Sequence, residues 1–454
     1  MRWNYLAIAG SFLLLSVCMS LDSRVTEAPG AVAGSLRQVA YFIHAPSTQW
    51  MAYAYAAFFF GGCLGSQVLG LGKRFFELRN PDLYLMCVML FGLCAYAMEY
   101  SGASIAELQP ESSPPAVVWL AAAAVGKMVR QASDWFGAPG HRERLMEGLI
   151  GLLVAILVLT SILFSKPTDL FAYREAHRLM GPWNNPNIFG LLMSSGVVLV
   201  VGMALKMMSG WKAKAILSAI YIAAGVFMLA CLIRSYSRGA WVGTICGLTY
   251  LFYQGGSWCL QRTQFARRIR RNWCPFVLLL VAALLLGFWQ YRNVQERVVR
   301  RVFSVANMND LSWRNRVEAW ENAFTIMVDK PLFGVGWNQT VPTCEGYYCA
   351  NEQVEQKAIL VNDYLMLGCT LGLPALLCFL AYLGLSLLPI GGSPAQKICR
   401  AGAMAMLIGF WFDGGIFQWP TACFFWVLIE LGREMPLQAP RARHGCKVAA
   451  LNCP

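Results

Sequence analysis

Charge is what this chain lacks. Only 13% of its 454 residues are Asp, Glu, Lys or Arg, against 57% hydrophobic. A soluble protein carries about twice that share of charge, so a soluble globular class is excluded. Metal-holding patterns are missing too: there is no CxxC, no Cys/His cluster and no external group of carboxylates at ligand spacing, and we expect no metal and no cofactor. The sixteen cysteines form no disulfide framework. Most, including Cys63, Cys87, Cys94, Cys231 and Cys378, sit within apolar runs as small packing residues. No clean small-x-small cleavage site closely follows the first apolar run, which therefore reads as an uncleaved span.

What is present is a series of long apolar runs. A helix needs about 20 residues to cross the hydrocarbon core. We read about twelve spans, at 4–20, 49–70, 81–99, 115–132, 146–165, 187–207, 215–233, 240–256, 274–291, 362–390, 401–417 and 419–433. The expected fold is an all-α integral membrane protein with a long external, periplasmic loop carrying amphipathic helices. Its divisions are N-terminal helices over 1–180, a membrane domain over 181–433 and a tail over 434–454.

The net charge of +13 would suggest nucleic acid in a soluble protein. In a membrane protein it first sets topology. With both termini cytoplasmic, about 22 of the 37 basic residues fall in short cytoplasmic segments. The cluster Arg262, Arg267, Arg268, Arg270 and Arg271 is then a topology anchor beside anionic lipid, and no nucleic-acid partner is expected.

Eight basic residues concentrate in the external interval 292–361. There Val298, Val302 and Val305 share one helical face, with Arg297, Arg300 and Arg301 on another. Ser312 is the expected N-cap of a second helix with an apolar face of Val317, Trp320, Phe324 and Val328, ended by Pro331. Such a loop lies on the membrane surface, apolar face down. Its arginines call for an anionic partner, because guanidinium is planar, always charged and bidentate towards phosphate. Cys344 and Cys349, four residues apart around a Gly, are expected to pair as a disulfide in an oxidising compartment. Arg238, in a short hairpin between spans, reads equally well as a snorkelling helix anchor.

Five motifs then occur in order: GPWNNPN (181–187), SRGAW (237–241), RVEAW (316–320), KPLFGVG (330–336) and NDYL with LGLP (362–374). Together they resemble the bacterial O-antigen ligase and polysaccharide polymerase superfamily over about 181–433. The resemblance implies a multi-pass glycosyltransferase of the bacterial inner membrane. Its donor would be a glycan on undecaprenyl pyrophosphate, and its acceptor lipid A–core or a growing polysaccharide. It implies Arg238 and Arg316 as the pyrophosphate-binding pair, with Arg314, Arg297, Arg301, Asn187 and Asn362 as further substrate contacts. One departure matters. The family has a histidine before NDYL as the proposed base, and here that position is Val361. His177 and then Asp363 are the candidate substitutes. The alternative function is an inactive lipid-linked-glycan binder or accessory subunit. A transporter is a third reading, with Asp413 the main ionisable residue inside a span.

Overall fold

Backbone N–H and C=O groups in lipid find no water, so apolar runs satisfy them internally as helices. The computed structural model describes residues 80–100, 115–135, 139–173, 176–183, 185–208, 213–260, 311–336, 343, 362–389 and 391–433. They are mostly helical. The helices are α1 (Asn80–Tyr100), α2 (Pro115–Trp135), α3 (Pro139–Phe164), α4 (Pro186–Met208), α5 (Ala213–Ser235), α6 (Arg238–Leu260), α7 (Leu311–Asp329), α8 (Asp363–Leu371), α9 (Leu373–Leu387), α10 (Pro394–Phe412) and α11 (Trp419–Gly432). Three stretches are long and apolar enough to cross a membrane by themselves: His141–Phe164, Pro186–Met207 and Ile216–Ser235. Pro81–Gly92, Leu373–Leu387 and Trp419–Gly432 are shorter apolar helices. The expected spans 4–20, 49–70 and 274–291 lie outside the described residues, as does the helix carrying Val298, Val302 and Val305.

The centre of the bundle is α4, which packs against α5, α6 and α10. Its residues from Ile188 to Val200 are all buried. Helices in lipid associate by close packing, which small residues permit. At Gly243 of α6 a side chain would run into the backbone carbonyl of Ala405 on α10. That contact lets the two axes approach closely. Around this centre α2 packs on α11 and α1 on α9.

Three local expectations change. The segment 166–180 forms an antiparallel hairpin, β1 (Lys166–Tyr173) and β2 (Ala176–Met180), where the sequence reading had only an external connection. The span expected at 362–390 is broken at Gly372, whose φ of 87° and ψ of 170° suit only glycine. Around the break Val335 N donates to Cys369 O (2.8 Å), Gly336 N to Thr370 O (3.1 Å) and Leu373 N to Pro331 O (2.8 Å). The KPLFGVG segment thus satisfies carbonyls that the break would otherwise orphan. Finally, α7 begins at Leu311, so Ser312 lies inside its first turn and is not the N-cap. The face of α7 that packs on α8 is Ala323, Ile326 and Met327. Phe324 and Val328 are exposed on the outer side, so α7 carries two apolar stripes and not one.

At one end of the bundle lies a buried ionic cluster. Glu430 accepts from Lys127 Nζ (2.6 Å), Arg130 Nη1 (3.1 Å), Arg433 Nη1 (3.1 Å) and Tyr382 Oη (2.7 Å). Asp82 pairs with Lys127 and, at 2.5 Å, with Arg433. Removing one partner of a buried pair costs about 3–5 kcal/mol, because the remaining charges lose compensation. Glu430→Ala leaves three cations facing Asp82 alone. It should lower the apparent melting temperature of the detergent-purified protein and its yield in membranes. A melting temperature equal to wild type would show that the cluster contributes nothing.

Candidate functional site

The opposite end of the bundle gathers the sequence motifs. The connection from α5 to α6 is an elbow of two residues, Tyr236 and Ser237. Tyr236 adopts φ 50°, left-handed for a non-glycine residue, so the surrounding bonds must hold it there. Ser235 Oγ donates to Leu232 O (2.7 Å) and accepts from Ser237 N (3.3 Å). Trp241 Nε1 reaches back across the elbow to Leu232 O (3.1 Å). Ser237 caps α6, its Oγ accepting from Ala240 N at 3.2 Å. Arg238 follows directly, half-buried in the first turn.

The same Ser237 hydroxyl donates to Asp413 Oδ2 (2.5 Å). Asp413 is the buried residue that ends α10, its backbone N–H donating to Gly409 O (2.9 Å). Arg316 Nη2 approaches the other oxygen, Asp413 Oδ1, at 3.4 Å. Gly239 lies against Phe412 and the Asp413 carboxylate, where a side chain would collide. One carboxylate therefore ties the residue before Arg238 to Arg316, although 78 positions separate the two arginines.

A second buried arginine braces the elbow from outside. Arg178 Nε donates to Ser235 O (2.7 Å) and its Nη2 to Asn187 Oδ1 (2.5 Å). Asn185 Oδ1 in turn accepts from Asn187 N (2.8 Å), and Asn185 O from Phe189 N (3.1 Å). The Asn-rich turn is thus the start of α4, bound to β2 and to the elbow.

The other predicted residues divide. Asp363 is buried, and its Oδ2 accepts from Ile416 N (2.8 Å), which holds the turn after Asp413. Asn362 caps α8 through Leu365 N (3.1 Å), and its buried Nδ2 has no hydrogen-bond partner among the described residues. His177 is exposed. Side chains alternate along a strand, so His177 points away from the face on which Arg178 meets Ser235. Arg314 lies in the first turn of α7. Arg297, Arg301, Cys344, Cys349 and Val361 lie outside the described residues.

Sequence reasoning singled out Asp413 as an intramembrane ionisable group but assigned it no partner. It missed Arg178 and Ser237 as site residues. A lone carboxylate in an apolar run is a signal that a cation faces it. No local pattern marks which cation.

The residues that converge here span a recognisable stretch. Residues 223–380 match the family model described as O-antigen ligase. No curated protein matches the chain. The matched stretch contains the elbow with Arg238, helix α7 with Arg316, the docked segment 330–336 and the break at Gly372. Members of this family are glycosyltransferase-like enzymes, and the long apolar helices agree with a membrane location. The match supports the O-antigen ligase and polysaccharide polymerase superfamily for residues 223–380, the part of the chain that carries both arginines.

Proposed function

We propose that this protein transfers a glycan from undecaprenyl pyrophosphate to an acceptor sugar hydroxyl at the outer face of the bacterial inner membrane, as a ligase or a polymerase. The acceptor is lipid A–core or a growing polysaccharide. The observation that carries the reading is the meeting of Arg316 with Asp413 beside the Ser237–Arg238 elbow. Arg238 also opens helix α6, whose N-terminal dipole favours an anion. In the reaction an acceptor oxygen attacks the sugar carbon that bears the carrier. The bond from that carbon to the pyrophosphate breaks, the hydroxyl loses its proton, and lipid pyrophosphate leaves. Arg238 and Arg316 neutralise the charge that develops on the leaving group. Asp413 holds Arg316 in place, and Asn362 Nδ2, buried without a partner among the described residues, is a further donor towards substrate. Arg314, Arg297, Arg301 and Asn187 complete the proposed contacts. The reaction as drawn uses no metal or other cofactor.

A specific observation favours the second reading, a lipid-linked-glycan binder that does not transfer. The family's base position is Val361. Asp363 is engaged by Ile416 N, and His177 alternates away from the elbow. The transferase reading needs His177 to take the acceptor proton.

Three tests follow. Arg238→Ala and Arg316→Ala should each abolish transfer while the protein still inserts. The loss of a charged donor to the leaving group costs about 3–4 kcal/mol, or several hundredfold in rate. Lysine should rescue poorly, being a point charge where a fork is needed. Near-normal transfer by both alanine variants would remove the assignment.

His177→Ala should lower transfer by about 10²–10⁴ if His177 is the base. If instead the wild-type protein shows no transfer and Val361→His creates it, the chain is a disabled ligase that binds without reacting.

The topology we propose places both termini and the 256–273 segment in the cytoplasm and 292–361 outside. Cysteines introduced at 264 and 309 and treated with a membrane-impermeant reagent should label in intact cells at 309 only. Labelling at 264 alone would invert the arrangement.

A further inference from the structure

We infer that Trp411, flanked by Trp320 and Tyr364, is a stacking platform for the first sugar of the lipid-linked donor. The inference rests on the transferase or binder reading of the arginine site and assigns that site a sugar-binding wall. Trp411 is in the last turn of α10, two residues before Asp413, and is 38% exposed. Its ring lies 5.7 Å from that of Trp320 at 60°, and 5.8 Å from that of Tyr364 at 38°. Tyr364 is itself held, its hydroxyl donating to Leu407 O (2.8 Å) one turn earlier on α10. Two side chains thus support Trp411 while much of its surface stays open.

Three sequence offsets link this trio to the charged site. Trp320 is four residues after Arg316 on α7, so both side chains share a helix face with Cβ atoms about 5–6 Å apart. Trp411 is two residues before Asp413, the partner of Arg316. Tyr364 follows Asp363, which holds the turn beyond Asp413. A sugar joined directly to a pyrophosphate lies one ring-width from it; Trp320 stands at about that step from Arg316, and Trp411 is in ring contact with Trp320. The hydroxyl-poor face of a sugar ring presents C–H groups, which suit the negative face of an aromatic ring. Trp and Tyr also occur at membrane interfaces as plain anchors. An anchor, however, would act alike on a carrier with or without sugar.

That difference is the test. The full-length protein in detergent is titrated with two probes: undecaprenyl pyrophosphate, and the same lipid bearing one N-acetylhexosamine. Wild type should bind the sugar-bearing lipid more tightly. Trp411→Leu should lose about tenfold towards that lipid alone, and Arg316→Ala should weaken both. Equal effects of Trp411→Leu on both probes, or none on either, would overturn the platform. Wild type binding neither probe would overturn the lipid-pyrophosphate reading itself and the platform with it. A second measurement needs no variant: N-bromosuccinimide oxidation of Trp411 in the wild-type protein, read by peptide mass. The sugar-bearing lipid should protect Trp411 and the bare lipid should not. Equal oxidation with the two lipids would also end the proposal.

Discussion

The Asp413 carboxylate is the joint on which the motif-bearing end of this protein depends. A charge buried at a helix end in an apolar bundle must be paired and hydrogen-bonded. Asp413 meets that requirement with one oxygen on Ser237 and the other near Arg316. Satisfying one buried charge therefore brings the α5–α6 elbow, helix α7 and the end of α10 to one place. The pairing is also a constraint on chemistry. The neighbouring N-terminus of α6 favours an anion beside the pair.

The bundle makes that joint possible by tight packing. Gly243 lets α6 lie against the Ala405 carbonyl of α10, and Gly239 lets the elbow lie against Asp413. The same economy appears at Gly372. There a break in the chain is tolerated because the segment 331–336 supplies and receives the missing backbone hydrogen bonds. Two motifs far apart in sequence are two halves of one backbone repair. The repair fixes the end of α8 and the start of α9 relative to the segment after α7, and Tyr364, near the start of α8, lies beside the Trp411 ring.

The two ends of the bundle differ in how they handle charge. The cluster of Asp82, Lys127, Arg130, Glu430 and Arg433 is closed, with its members buried and bonded to one another. It joins α1, α2 and α11 and gains Tyr382 from α9. The Asp413 end leaves Arg238 and Arg316 only partly buried and Trp411 exposed. Elsewhere Lys206 pairs with Glu143 and Glu147, and Lys397 Nζ donates to Gln254 O (3.0 Å).

By itself the sequence determined the membrane class and most of the described helices. Long apolar runs and the placement of basic residues report directly on a bilayer, whose thickness and charge act on each segment locally. It also held the five ordered motifs, since each is a local backbone need: a capped elbow, an Asn turn, a glycine break. Only the tertiary structure decided the partners. That Asp413 belongs to Arg316 and Ser237, that Arg178 braces Ser235, and that Asp363 serves the Ile416 N–H are pairings across 97, 176, 57 and 53 positions. No periodicity encodes such distances. The outward turn of Phe324 and Val328 was hidden for the same reason. On a helix with two apolar stripes, which stripe meets the protein is set by the surface of α8 and not by the helix itself.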